Sequence, residues 1–210
     1  MVQGGKRGAI IVGFFSVLIY FLSSFNDNEQ SSLKKIIQVL YVLIGLIIVG
    51  YFVYYLSSNS DLLSRRFENT LNGDSSGRDV IYTRIWRAWW DNVNDWSHFL
   101  FGYGFASSLR ISGGTYAHND WLELISNFGL VGVTIYFFLI LVGYSYLFKK
   151  GWGNVNDKAL LLSIMVTWCL TSLFSMWYTS VDILMHSLLL GYLMGGNDLR
   201  KRKEPKATVL

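Results

Sequence analysis

Long apolar runs are the feature that most constrains the fold of this chain. Five of them hold almost no charged residue: residues 8–25, 35–55, 128–148, 159–178 and 182–195. A helix needs roughly 20 apolar residues to cross the hydrocarbon core of a bilayer. The first four runs meet that length, and the fifth is shorter and interrupted by Asp182 and His186. We therefore predict an all-α polytopic membrane protein with about five transmembrane helices.

The composition supports this prediction. Hydrophobic residues make up 52% of the chain and charged residues only 15%, whereas soluble domains carry about 25% charged residues. The net charge of +4 sits at the ends of the apolar runs, where it reports orientation. We therefore expect a lipid bilayer, and not a nucleic acid, as the surrounding partner.

Basic residues predict the orientation. Lys34–Lys35, Lys149–Lys150 and Arg200–Lys203 flank apolar runs, and the positive-inside rule places them in the cytoplasm. The long segment between the second and third runs contains arginine but no lysine, which places it outside. In chain order, we predict two transmembrane helices in 1–57, an extracytoplasmic loop with the catalytic motifs in 58–126, three transmembrane helices in 127–196, and a basic cytoplasmic tail in 197–210.

The same helix count places the N-terminus outside, beside Lys6 and Arg7, against the positive-inside rule. The favoured explanation is that the sequence is the C-terminal part of a larger polytopic protein, whose earlier helices fix the orientation. The alternative is a complete small protein with an external N-terminus.

The first part of the loop predicts an amphipathic helix. From Ser76 onward, Ile81, Ile85 and Trp89 recur at helical spacing on one face. Arg84, Arg87 and Asp91 share another face, and Ser76 with Asp79 resembles a helix-capping pair. An aromatic and basic helix of this kind suits the membrane–water interface. The alternative is a small external helix packed on the bundle.

The end of the loop holds the candidate site. If the chain is helical there, His118, Leu122, Ile125, Gly129 and Gly132 share one stripe, and the two glycines admit a neighbouring helix. Asp120 with Glu123 would cap this helix and leave His118 at its start. An imidazole at the outer membrane boundary titrates near neutral pH and can accept a proton. The alternative is a hydrogen-bonded interface histidine.

Several motifs, in this order and spacing, resemble the O-antigen ligase and polymerase superfamily of bacterial envelope glycosyltransferases. They are Lys6-Arg7-Gly8, Ser76-Gly77-Arg78, Gly102-Tyr103-Gly104 and His118-Asn119, with ten residues between His118 and Gly129. The resemblance covers most of the chain and corresponds to the C-terminal half of the family.

The resemblance implies an enzyme of the bacterial cytoplasmic membrane, active on its outer face in O-antigen, capsule or exopolysaccharide assembly. It would move a glycan from a polyprenyl diphosphate carrier onto an acceptor glycan or lipid. His118 would be the catalytic base or would orient the acceptor, and Arg78 and Arg7 would hold the diphosphate. Further candidate substrate-binding residues are Arg84, Arg87, Arg110, Asn119 and Tyr103. The three loop arginines have an alternative role as solvated residues or as contacts to lipid phosphate.

Physical chemistry agrees with these roles. A glycosyl diphosphate is already activated, so the enzyme must deprotonate a hydroxyl and stabilise an anionic leaving group. Arginine is a planar, permanently charged, bidentate partner for phosphate. The sequence has no Walker loop and no dinucleotide fingerprint, and His98, His118 and His186 lack recognisable metal spacing. We therefore expect no cofactor and no metal.

Two other classes of function remain open on the sequence. A polytopic transporter or channel with an outer gating loop would place polar residues deep within several helices, whereas the helices here hold chiefly serine, threonine, tyrosine and His186. Asp182 and His186, one turn apart, are the candidates for that function, although packing and headgroup contact are the favoured roles for both. A membrane scaffold that only displays its loop would tolerate replacement of His118.

Overall fold

A computed structural model describes residues 7–25, 31–58, 77–149, 152, 154–180 and 183–203, and every regular element in these ranges is an α-helix. The helices are α1 (Arg7–Phe25), α2 (Ser32–Ser58), α3 (Arg78–Trp90), α4 (Trp96–Phe101), α5 (Ser107–Ser112), α6 (Asp120–Leu147), α7 (Val155–Phe174) and α8 (Ile183–Lys203). The all-α prediction is confirmed for this part of the chain.

Each of the five predicted runs falls largely on a long helix. Among the described residues, α6 and α7 are the two helices long and apolar enough to cross a membrane, by length and composition. Shorter apolar stretches occupy Val12–Phe25 of α1 and Lys35–Ile48 of α2. The structure is therefore consistent with a polytopic membrane protein, and two of the five predicted spans meet both criteria.

The apolar surface of α2 agrees with this description. Ile36, Ile47 and Tyr51 are 66–69% exposed. Water-soluble proteins rarely expose contiguous apolar surface on this scale, and a helix that is apolar on all sides belongs inside a protein or a bilayer.

The helices α6, α7 and α8 enclose the main hydrophobic core. Tyr136 and Ile140 of α6, Leu161 and Met165 of α7, and Leu193 of α8 are all buried there. On the other side of α7, α1 packs closely: Ser163 Oγ donates to the Ser16 carbonyl at 2.7 Å.

A second, smaller core fixes the loop helix α3. Ile85 and Trp89 are buried against Ala117 and Ile125, and Ile81 packs beside them. The predicted apolar face of this helix is confirmed. The predicted cap is not, because the residue before the helix is Gly77 in a left-handed conformation with no side-chain cap bond, while Ser76 lies outside the described residues.

An exposed face of α3, next to the buried one, bears on the prediction of a membrane-interface helix. Trp86 and Trp90 are stacked 6.1 Å apart and about half exposed. Replacing Cys169, the single cysteine, with serine gives a cysteine-free background. Spin labels are then attached at Trp86→Cys and, as a matched control, at the exposed position Asp91→Cys. In nanodiscs we expect a severalfold higher ratio of oxygen to nickel-chelate collisions at position 86, because tryptophan is typical of the interface. Equal ratios at the two positions would contradict an interfacial helix.

A bend in α6 positions the loop against the membrane helices. Gly129 has φ 61° and ψ −156° inside this helix, so the turn before it cannot continue its hydrogen bonds. The freed carbonyls of Ser126 and Asn127 accept from the backbone of Tyr103 at 2.7 Å and Gly104 at 3.2 Å. The sequence motif Gly102-Tyr103-Gly104 therefore approaches a helix.

The contact is a crossing of two backbones. A Cβ atom on Gly129 would lie 2.5 Å from the Leu100 carbonyl carbon, and one on Gly102 would lie 2.5 Å from the Phe128 nitrogen. The prediction that Gly129 belongs to a regular helical stripe is therefore wrong, whereas the prediction that this glycine admits a neighbouring helix is confirmed. It admits the end of α4 and the turn that follows.

Candidate functional site

His118 lies immediately before α6 and its side chain is exposed. Its φ of 52° places it in the left-handed region, which histidine tolerates better than most residues. The predicted helical stripe through His118 is therefore wrong, because the helix begins only at Asp120.

Both neighbours of His118 are held in place. On one side Ala117 is fully buried, and its backbone nitrogen donates to Glu123 Oε1 at 2.6 Å. On the other side the Asn119 side chain accepts from the Leu122 nitrogen at 3.2 Å and caps α6. The backbone on both sides of the exposed His118 is therefore fixed.

The predicted cap by Asp120 and Glu123 is wrong for a physical reason. The residue in extended conformation before a helix is the one whose side chain can reach back to the first free N–H groups, and here that residue is Asn119. Asp120 instead accepts from the Trp177 nitrogen at 2.9 and 3.0 Å and from the Tyr136 hydroxyl at 2.7 Å. It fixes the turn after α7 against the start of α6.

A cavity of about 340 Å³ opens beside His118. Its walls come from three parts of the chain: residues 105–106, residues between 116 and 127, and residues 175–180. The walls include the side chains of Tyr116, His118, Glu123, Asn127 and Tyr178.

Glu123 is the least expected of these residues. It is fully buried, and while Oε1 binds the Ala117 nitrogen, Oε2 has no hydrogen-bond partner among the described residues. Buried polar atoms are nearly always paired, because leaving one unpaired is costly.

Asn127 and Tyr178 close the inner wall. The Asn127 side-chain oxygen accepts from the Ser107 backbone and hydroxyl at 3.0 and 2.9 Å, and its nitrogen donates to the Tyr178 hydroxyl at 3.0 Å. Burial, and next the negative charges of Glu123 and Asp120, raise the pKa of Tyr178 to about 12 against the opposing hydrogen bond from Asn127. The phenol stays protonated at neutral pH and remains a donor.

Arg78 lies at the edge of the same site. Its Nη1 donates to the Phe174 carbonyl at 3.4 Å, while the Asn119 side chain donates to the adjacent Leu173 carbonyl at 2.9 Å. The last carbonyls of a helix lack partners within it and favour cations. The end of α7 therefore accepts hydrogen bonds from both the Arg78 and the Asn119 side chains. The next residue, Ser175, is on the cavity wall. Arg78 and Asn119, the residue after His118, thus bind adjacent carbonyls at the end of α7.

The structure places other predicted site residues in contacts within the loop. Arg84 donates to the Ser112 carbonyl at 3.0 Å, Arg110 to the Tyr103 carbonyl at 2.8 Å, and the Tyr103 hydroxyl to the Ala88 carbonyl at 2.5 Å. Arg84 and Arg87 also line a separate depression of about 310 Å³ that shares no residue with the His118 cavity.

Two predicted residues, Asp182 and the Arg7 side chain, lie outside the described part of the chain. Arg7 is the first residue of α1. His186 of α8 packs on the Trp177 ring, with centroids 4.3 Å apart. Within the described ranges, no three histidine, cysteine, aspartate or glutamate side chains form a group that could hold a metal ion.

Sequence reasoning missed Tyr116, Glu123, Asn127 and Tyr178 as cavity residues. Glu123 had been assigned to a cap, and Tyr178 fell at the end of an apolar run. The available signal was a glutamate and an asparagine four residues apart, which share a helix face next to a candidate histidine.

A comparison with protein families finds a match. The family model described as O-antigen ligase matches residues 1–137, which include Arg7, Arg78, His118 and the bend at Gly129. No curated protein and no solved structure matches the chain. Together with the apolar helices, this match indicates a membrane protein. The chain belongs to the O-antigen ligase family, whose members transfer or polymerise glycans.

Proposed function

We propose that the protein transfers a glycan from a polyprenyl diphosphate carrier onto an acceptor sugar at the outer face of the bacterial cytoplasmic membrane. The observation that carries this proposal is that the end of α7 binds both Arg78 and the residue next to His118. Arg78 binds the Phe174 carbonyl, and Asn119, next to His118, binds the carbonyl before it. His118 lines the cavity, and the permanent cation Arg78 binds the carbonyl of Phe174, the residue before Ser175 on the cavity wall.

The proposed step needs both groups. His118 takes the proton of an acceptor hydroxyl, whose oxygen forms a bond to the anomeric carbon of the donor glycan. The bond from that carbon to the diphosphate breaks, and its electron pair leaves with the diphosphate. Arg78 stabilises this anion, since a guanidinium has five donors and its contact with the α7 carbonyl leaves others for phosphate oxygens.

The remaining predicted residues have supporting roles in this proposal. Arg7 would contribute a second cation to the diphosphate. Asn119 would fix the backbone next to the imidazole by capping α6. Arg84, Arg87 and Arg110, with Tyr103, would contact parts of the glycan away from the reacting bond. The depression lined by Arg84 and Arg87 supports that assignment for these two arginines. The loop would lie outside the membrane and the basic tail inside, in a multi-pass chain.

Replacement of Arg78 tests the proposal. We expect Arg78→Ala to lower glycan transfer about 100-fold, the usual effect of removing one group that stabilises developing charge, and Arg78→Lys to restore only part of it. The assay uses nanodiscs and the glycolipid extract of a source strain that lacks the gene. Binding of undecaprenyl diphosphate, followed by thermal shift, should weaken in parallel.

The control is Lys158→Ala, which removes an exposed cation at the start of α7, on the side predicted to be cytoplasmic. It should leave transfer and undecaprenyl diphosphate binding unchanged. A normal transfer rate in Arg78→Ala would show that Arg78 has no role in the reaction. A wild-type protein that neither binds undecaprenyl diphosphate nor transfers glycan would contradict the proposed function itself.

A further inference from the structure

We infer that Glu123 binds the acceptor sugar: its Oε2 accepts a hydrogen bond from a hydroxyl of the sugar that receives the glycan. The cavity beside His118 is then the acceptor site. This inference rests on the proposed function and assigns the substrate of one part of that site.

The first argument is the unpaired oxygen. Glu123 has no exposed surface, and Oε2 has no partner within the described part of the chain, yet the residue lies on the cavity wall. A carboxylate in such surroundings needs donors on both oxygens. A ligand hydroxyl supplies the missing donor, whereas a phosphate oxygen would add a second acceptor.

The second argument is the charge of the cavity. No arginine or lysine occurs among the described residues that line it, and Asp120 lies one turn from Glu123 on α6. An anionic diphosphate would meet a carboxylate there. Arg78 stands at the edge, on the last carbonyls of α7. This distribution of charge favours a neutral, hydroxyl-bearing substrate in the cavity and an anionic group at its edge.

The third argument is the remaining lining. Phe105, Tyr116 and Tyr178 present aromatic rings to the cavity, and a few convergent polar groups among apolar walls are typical of small-molecule sites. The Tyr178 hydroxyl, held by Asn127 at 3.0 Å, is a donor for a sugar oxygen. Among its polar groups, the cavity thus offers Glu123 as an acceptor and Tyr178 as a donor beside an exposed imidazole.

The test is Glu123→Gln. Glutamine keeps the volume and a carbonyl oxygen for the Ala117 nitrogen, but it replaces Oε2 with a donor. At low glycolipid concentration we expect transfer to fall about tenfold or more, because hydrogen bonds to charged groups are the strong ones. The rate should approach the wild-type value as the glycolipid extract of the deletion strain, which holds both donor and acceptor, is concentrated.

Two further measurements separate binding from folding. The melting temperature and the affinity for undecaprenyl diphosphate should equal those of the wild type, and Asp91→Asn, an exposed carboxylate of the same loop, should transfer normally. The inference is overturned if Glu123→Gln transfers like the wild type at every concentration. It is equally overturned if the variant melts earlier, loses undecaprenyl diphosphate binding, or stays slow at saturation. If the wild-type protein does not bind undecaprenyl diphosphate, the proposed function itself is rejected.

Discussion

Asparagine in place of His118 is expected to reduce glycan transfer about 1000-fold while leaving the fold intact. General bases typically contribute factors of about 100 to 10,000. Asparagine suits this position structurally, because His118 has a φ of 52° and asparagine enters the left-handed region readily. It cannot accept a proton near neutral pH. His118→Ala should show the same loss of transfer.

The measurement is the initial rate in nanodiscs, with thermal unfolding as the check on folding. His98→Asn is the matched control. His98 belongs to the same loop but stacks on Tyr103, with centroids 4.7 Å apart, and does not line the cavity. Its variant should keep most of the transfer rate. A wild-type rate in His118→Asn would show that proton transfer at this position is not needed.

Alanine in place of Gly129 should prevent the loop from docking. The φ of 61° and ψ of −156° at this residue belong to a region that is essentially confined to glycine. A Cβ atom would also lie 2.5 Å from the carbonyl carbon and oxygen of Leu100. Strain and overlap together should cost about 3 kcal/mol or more of stability, and we expect little folded, active protein.

The control is Gly45→Ala in α2, where a Cβ atom meets nothing within 4 Å. Alanine is the better helix former, so yield and melting temperature should be equal or slightly higher. Monodisperse yield in detergent and thermal unfolding report the result. A Gly129→Ala protein with wild-type yield and melting temperature would contradict the crossing of α6 with the turn after α4.

Features that depend on nearby residues were predictable from the sequence. The apolar runs located the long helices, and the spacing of Ile81, Ile85 and Trp89 located the buried face of α3, because both patterns repeat within one helix. The position of His118 just before a helix was also predictable.

Features that depend on contacts between residues far apart in the sequence were not predictable. Arg78 reaches the carbonyl of Phe174, 96 residues away, and Asp120 accepts from Trp177, 57 residues away. The bend at Gly129 forms where Gly102 crosses it, and a glycine in an apolar run gives no sign of such a crossing. The helix α6 begins at Asp120, two residues after the start of the predicted helical stripe at His118, and a shift of this size lies within the usual uncertainty of helix ends.

The attachment of the loop to the end of α7 has a consequence for biosynthesis. The groups that anchor it are the carbonyls of Leu173 and Phe174 and the nitrogen of Trp177, and all are synthesised after the loop itself. When His118 leaves the ribosome during synthesis, these anchoring groups and one wall of the cavity have not yet emerged. The site is therefore completed only after α7 has emerged, so truncated products that end before it should be inactive.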